Sequence, residues 1–298
     1  MDFSLINLLN ALLYTSVLFL IAGGLSLIYG VMRIVNLAHG NLYAFGAYVT
    51  AWTVGLFAAG ARPAGAGVRP AVLYLLLPAG ALAAAALGAV LEPTLLRPFY
   101  KRAEEYQLLV TFGLLMILED VMRFLWGPYP LSASVLWENM GSVSIGGNPY
   151  PNYNLLVIAV GGAAAAFLWA FVYKTRFGVV LRATSQNMRM ASALGVNVNR
   201  VYVQAFTIGC FMAGLGGAII VPSQSAVLGM GVDALVLAFI VVVIGGLGSL
   251  EGALVGALIV GVVRELGITF FAEIELAVLY LIAAIVLLVR PAGLFGRP

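Results

Sequence analysis

The stretch from Lys174 to Arg200 is the one long polar segment in a chain otherwise made of apolar runs. It carries five basic residues, Lys174, Arg176, Arg182, Arg189 and Arg200, and no acidic one. Apolar runs of membrane-crossing length flank it on both sides, and Lys and Arg between two spans resist translocation. The pattern therefore predicts a polytopic membrane protein with one elaborate cytoplasmic loop, the natural place for a soluble partner to grip.

Composition supports this. Hydrophobic residues make up 63% and charged residues 9% of the chain, where a soluble domain carries about 25% charge. Each helix needs about 20 apolar residues to cross the hydrocarbon core, so the chain allows at most about ten crossings. One membrane domain over residues 1–298 is the simplest count. The net charge of +3 does not point to nucleic acid, because the basic residues cluster in loops beside spans. The lone Cys210 rules out an intrachain disulfide. Asp2 stands where a signal peptide would carry its basic region, so no cleavable signal is expected.

The first spans read as 8–31 and 42–59, then a Pro/Gly-rich turn from Arg62 to Pro70, then 71–91. A charged loop, Glu92 to Tyr106, holds Arg97, Lys101 and Arg102. The fourth span is 108–126. The loop after it, Gly127 to Asn152, has no Lys or Arg and is bordered by Trp126, Tyr129, Trp137, Tyr150 and Tyr153, an interfacial belt on the outer side. Spans at 155–173 and 201–221 enclose the basic loop. From Ala234 to Phe271 the chain is apolar for longer than one crossing, and Gly245-Gly246-Leu247-Gly248-Ser249 divides it into two spans or a re-entrant element and a span. The last span is 276–289. The expected fold is an all-α transmembrane bundle of eight or nine spans, N-terminus outside and C-terminus inside, with Arg62 and Arg69 outside against the charge rule.

Nothing here reads as catalytic machinery. There is one histidine and one cysteine, and no helix-spaced metal set, nucleophile elbow or Walker A sequence. No catalytic residue and no metal ligand is expected. Three places could serve a solute pathway or gate. Arg33 to Asn41 interrupts apolar sequence with Asn36, His39 and Gly40, and irregular backbone at membrane depth must be buried in protein or line a cavity; a simple hairpin turn with Arg33 as an anchor is the other reading. Glu119 and Arg123 are spaced i to i+4 and can pair on one face or meet solute. Gly245, Gly246 and Gly248 form the third. Arg264, deep in a span, needs a partner.

Within the basic loop, Asn187 reads as a helix N-cap and Gly195 as the left-handed residue that ends the helix. Between them lies a short helix containing Arg189, Met190, Ala191, Ala193 and Leu194. A helix so short is unstable alone and wants a groove in a partner, unless it merely lies on lipid headgroups.

Met190-Ala191-Ser192-Ala193-Leu194-Gly195-Val196-Asn197, followed by Arg200-Val201, resembles the coupling loop of ABC importer permeases in the branched-chain amino acid branch. Gly24 to Gly30 running into Val35-Asn36-Leu37-Ala38-His39-Gly40, the Gly245 to Ser249 break, and Arg290-Pro291-Ala292-Gly293-Leu294-Phe295-Gly296 resemble the same family, in order along the chain. Arg189-Met190-Ala191 departs from the broader importer motif, which has glutamate and two alanines there. The resemblance, to the smaller LivH type of subunit, implies one half of a permease heterodimer with a sister of the LivM type. Two ABC ATPases would bind the coupling loop and an extracytoplasmic solute-binding protein would deliver solute. ATP would be bound by those partners, so this chain itself needs no cofactor. The implied place is the inner membrane of a prokaryote. Leucine, isoleucine and valine are the implied solutes, with urea or short amides an alternative. The rival class is an ion-coupled secondary transporter using Glu119, Asp120, Glu251 or Glu265.

Overall fold

Helix α1 (Leu5–Met32) is buried on every side from Thr15 to Ile28, as expected of a helix apolar on all faces but for Thr15, Ser16 and Ser26, whose hydroxyls all find backbone carbonyls. Most of the later long helices pack against it, though not those at 77–91 and 104–126. A computed structural model describes residues 5–60, 70–270 and 273–296; Arg62 and Arg69 lie outside these. After α1 come α2 (His39–Gly60), the short α3 (Pro70–Tyr74) and α4 (Leu77–Leu91). Pro78 has no N–H to return to Tyr74, and the helix is interrupted there. α4 does not stop at the predicted charged loop. It runs on through a π-helical turn, Glu92–Leu96, and a 3-10 turn, Arg97–Phe99.

Helix α5 (Glu104–Trp126) is followed by α6 (Ser134–Asn139) and a hairpin of β1 (Ser142–Ile145) and β2 (Asn148–Pro151), with Val143 opposite Tyr150. Apart from this hairpin and a Leu131–Ala226 bridge, the described residues are helical or irregular. Then follow α7 (Asn152–Lys174), α8 (Arg176–Gln186), α9 (Met188–Ala193), α10 (Val198–Ile220), α11 (Met230–Gly245), α12 (Leu250–Phe270) and α13 (Glu275–Val289).

Among the described residues, five helical runs are long and apolar enough to cross a membrane: α1, 72–99, α7, α10 and α12. α11 and residues 277–289 are shorter apolar helices. The Gly245 to Ser249 break thus separates two helices. They pack side by side, and a Cβ at Gly256 would strike the Val241 carbonyl oxygen.

Backbones meet closely where α2, α4 and α10 cross. A Cβ on Gly80 would fall on the Gly46 carbonyl oxygen, one on Gly46 on the Gly214 backbone, and one on Gly214 on the Ala84 side chain. Helices in lipid gain nothing from hydrophobic exclusion of one another, so such close approach supplies the attraction. Arg264 finds the ring of Tyr14 at 4.6 Å, and its neighbour Glu265 accepts a hydrogen bond from Asn10 at 3.1 Å. The charges that looked isolated in α12 are thus tied to the first turns of α1.

Candidate functional site

The bundle has two unlike ends. At one lie α6, the hairpin and the Leu131–Ala226 bridge. At the other lie the end of α1, the π turn, α8 and α9, with Arg33, Arg97, Arg182 and Arg189, and this is called the basic end here.

At the basic end, α9 has both caps read from the sequence. The Asn187 side-chain oxygen accepts the Met190 amide at 3.0 Å. Gly195 adopts φ 85°, its amide bonds to the Ser192 carbonyl, and the Val196 amide reaches back to Ala191. These paired bonds form a Schellman closure, which needs a residue comfortable at positive φ. Asn197 caps α10 in turn, accepting the Arg200 amide at 3.1 Å. Ala191 turns inward and is buried, whereas Met190 is 58% and Leu194 78% exposed. Arg189 and Ala193 are exposed as well. Of the residues singled out in this loop, Ala191 therefore anchors the helix to its own chain. Met190, Leu194, Arg189 and Ala193 present the free face.

The irregular segment after α1 climbs back into the bundle. The Val35 carbonyl meets the Thr111 hydroxyl of α5 at 3.3 Å, and Asn41 donates to the Leu115 carbonyl at 2.6 Å. The His39 ring lies 3.0 Å from the Ile21 carbonyl, in the middle of α1. A surface hairpin turn could not make these contacts, so α2 begins inside the protein. Asn36, His39 and Asn41 are all fully buried. A Cβ on Gly40 would land on the Gly231 carbonyl, which brings the first turns of α2 and α11 together.

The spacing of Glu119 and Arg123 suggested a pair, and the structure parts them. Glu119 Oε1 accepts the Gly229 amide at 2.6 Å, at the start of α11. Arg123 is exposed, and the ion pair found among the described residues is Arg97–Glu92. The carboxylate sits where the N-terminal amides of α11 and its dipole favour negative charge. Around this meeting point, Asn36 Nδ2, His39 Nδ1, Asn41 Oδ1, Glu119 Oε2 and the Tyr48 hydroxyl are buried without a hydrogen-bond partner among the described residues. Unpaired polar atoms at low dielectric are costly. Their concentration on α2, the segment leading into it and its neighbour α5 marks a polar interior in an apolar bundle.

Gly245, Gly246 and Gly248 lie elsewhere, toward the basic end. Gly245 packs on Gly252, Gly246 (φ 109°) on Gly296, and Gly248 (φ 79°) on Gly30. The C-terminal turn is stitched to them by Leu294 and Phe295 amides donating to the Ile244 and Gly245 carbonyls. A cleft of about 960 Å³ opens beside them, walled by Tyr29, Arg33, Arg182, Gln186, Gly248 and Glu251 among others. The three predicted places are therefore not one site. The α2 segment and Glu119 converge; the glycine break and α9 both belong to the basic end.

One group escaped the sequence reading. Glu92 is fully buried, and its two oxygens accept from Arg97 at 2.7 Å and from the Tyr100 hydroxyl at 2.6 Å. Burial, and then the Glu92 carboxylate, push the Tyr100 phenol above its ordinary pKa. The Tyr100 ring stands edge-on to Tyr202 at 5.4 Å, and the Tyr202 hydroxyl donates to the Met188 sulfur at 3.1 Å. Glu92 and Arg97 are five residues apart, a spacing that faces one way only in a π turn, and nothing in the sequence announces that turn except Pro93.

Comparison with known proteins places this architecture. Residues 7–289 match the family model described as branched-chain amino acid transport system / permease component. The chain is 27% identical to the high-affinity branched-chain amino acid transport system permease protein BraD of Pseudomonas aeruginosa, over 98% of this chain and 95% of that protein. It is 28% identical to LivH of Escherichia coli K12, with the same coverage. It is also 28% identical to a probable LivH of Methanocaldococcus jannaschii, over 88% of this chain and 80% of that protein. With 283 consecutive positions, 7 to 289, under one family model, the chain belongs to the branched-chain amino acid transport permease family.

Proposed function

We propose that this chain is one permease half of an ATP-driven importer that carries branched-chain amino acids across the cytoplasmic membrane of a prokaryote. The observation that carries this reading is α9: a short helix closed at both ends, anchored by Ala191, that offers Met190 and Leu194 to the outside. Exposed apolar side chains between basic residues, on a helix too short to hold itself together, fit a groove on a soluble partner. Two ABC ATPases are that partner, one at this α9 and one at its counterpart on a sister permease. They bind ATP, and this chain carries neither a catalytic residue nor a cofactor of its own.

The basic end is cytoplasmic, because Lys174 to Arg200 lies there. The N-terminus is then outside and the C-terminus inside. Residues 1–298 form one membrane domain threading the bilayer nine times. The seventh passage is α11 with the chain that leads into it, starting inside the bundle at Gly229. α11 alone, 16 residues or about 24 Å, falls short of a core about 30 Å thick. An extracytoplasmic binding protein delivers solute at the end that bears α6 and the hairpin. The polar interior at Asn36, His39 and Glu119 is the gate, where α2 and α11 start face to face.

The test is uptake by sealed vesicles holding the complex with its ATPases, sister permease and binding protein. Leucine, isoleucine and valine are expected to enter only with ATP and to compete with one another. Uptake on a proton gradient without the ATPases would defeat the reading. Preferential competition by urea or acetamide would move the solute to that class.

A further inference from the structure

We propose that Tyr202 and Tyr100 are positioning residues that join α9 to α4 through Glu92, so that movement of α9 reaches the membrane helices by way of the base of α4. This rests on the reading of α9 as the ATPase contact.

The link is continuous. Met188, the first residue of α9, accepts the Tyr202 hydroxyl at 3.1 Å. The Tyr202 ring meets the Tyr100 ring at 5.4 Å. Tyr100 donates to Glu92 at 2.6 Å, and Glu92 opens the π turn that ends α4. No covalent segment joins α9 directly to α4; α10 follows α9 in the chain, and α4 precedes it by nearly a hundred residues. The tyrosine pair is a side-chain bridge between them.

The turn at the far end of that bridge is built to bend. Pro93 has no N–H to give the Ala89 carbonyl, and the Arg97 amide bonds instead to the Glu92 carbonyl, one residue wider than an α-helix. Inside this wide turn sits a fully buried carboxylate. Its partners are Arg97 and Tyr100, and a buried charge that loses a partner is strongly disfavoured. Glu92 therefore follows Tyr100 rather than letting it go. α4 then passes the displacement upward, because at Gly80 its backbone lies against Gly46 of α2 with no room to slide past. The next turns of α2 toward its start carry His39 and Asn41, so the gate lies within reach of the same movement.

The experiment measures solute imported per ATP hydrolysed by the complete complex in vesicles. Tyr100→Phe keeps the ring contact and removes the bond to Glu92. Tyr202→Phe keeps the ring contact and removes the bond to Met188. Tyr202→Leu removes both. Tyr100→Phe and Tyr202→Leu are expected to hydrolyse ATP while importing about tenfold less solute per ATP, the scale of one lost buried hydrogen bond. Tyr202→Phe falls between, and Met188→Leu added to it does no further harm. Because the quantity is a ratio, a variant that only assembles poorly leaves it unchanged. Should Tyr202→Leu not assemble, Tyr100→Phe decides alone. A wild-type ratio in Tyr100→Phe overturns the proposal. If the wild-type complex itself imports nothing with ATP, the underlying reading fails instead.

Discussion

The Glu119 carboxylate accepts the Gly229 amide across 2.6 Å, so a side chain from the middle of α5 caps the first turn of α11. The sequence left this acid to an ion pair with Arg123 or to solute; here it takes a backbone amide, a structural task. Glu119→Gln retains an acceptor of the same shape and is expected to lose only the charge-dipole share, about 0.3–1 kcal/mol. Glu119→Ala leaves the amide uncapped inside the bundle and costs about 1–2 kcal/mol. Thermal unfolding in detergent checks this: the alanine variant melts below the glutamine variant, and the glutamine variant near wild type. Equal melting of all three would show that the cap is irrelevant.

The crossing of α2, α4 and α10 makes a second, purely steric prediction. A Cβ on Gly46 meets the Gly214 backbone, whereas a Cβ on Gly55 of the same helix meets nothing within 4 Å. Gly46→Leu must spread the three helices, and overpacking of this kind costs about 1–3 kcal/mol or more. The expected result is a sharply reduced yield of monodisperse protein for Gly46→Leu and an unchanged yield for Gly55→Leu, read by size-exclusion chromatography. Matched losses would mean that any bulk on α2 is harmful, regardless of contact.

Much of this architecture is legible in the sequence because the signals are local. The caps at Asn187 and Gly195 require only a side chain and a left-handed turn within a few residues, and both stand where the letters put them. The apolar runs predicted the long helices for the same reason. What depends on distant contacts was hidden. Asn36 and His39 stood out as a break, but the depth of that break comes from Ile21, Thr111 and Leu115, residues 18 and more positions away or on another helix. Glu92 looked like part of a charged loop because burial of a carboxylate is decided by what packs on it. Arg123 paired with Glu119 by spacing alone, and Gly229, 110 residues later, won the contest.

His39 tests the proposed gate. Its ring contacts the Ile21 carbonyl with one nitrogen and leaves the other buried without a partner among the described residues. His39→Gln preserves a donor at about the same reach, while His39→Leu removes the bond and leaves the Ile21 carbonyl only the amide of its own helix, at about 0.5–1.5 kcal/mol. Uptake is expected to survive in the glutamine variant and to fall at least severalfold in the leucine variant, with both inserted normally. If leucine at position 39 imports as wild type does, the α2 start is a buried turn and nothing more.

The free face of α9 gives the last prediction. Met190 and Leu194 are exposed, so placing a charge on either disturbs no packing within this chain. A groove that accepts two apolar side chains must desolvate whatever replaces them, and an unpaired carboxylate resists desolvation far more than a thioether or an alkyl group. Met190→Asp and Leu194→Asp are therefore expected to lower ATPase retention by roughly tenfold or more each, an interface anchor being worth about 1–2 kcal/mol or above, without altering the thermal stability of the permease alone. Ala191→Trp should differ in its effect on stability. Ala191 is buried against its own chain, so the bulky ring lifts α9 from its seat, and stability falls together with ATPase binding. Co-purification of the ATPases beside unfolding of the isolated permease separates the two classes. Wild-type ATPase retention in Leu194→Asp, the more exposed of the two apolar side chains, would detach α9 from the partner altogether.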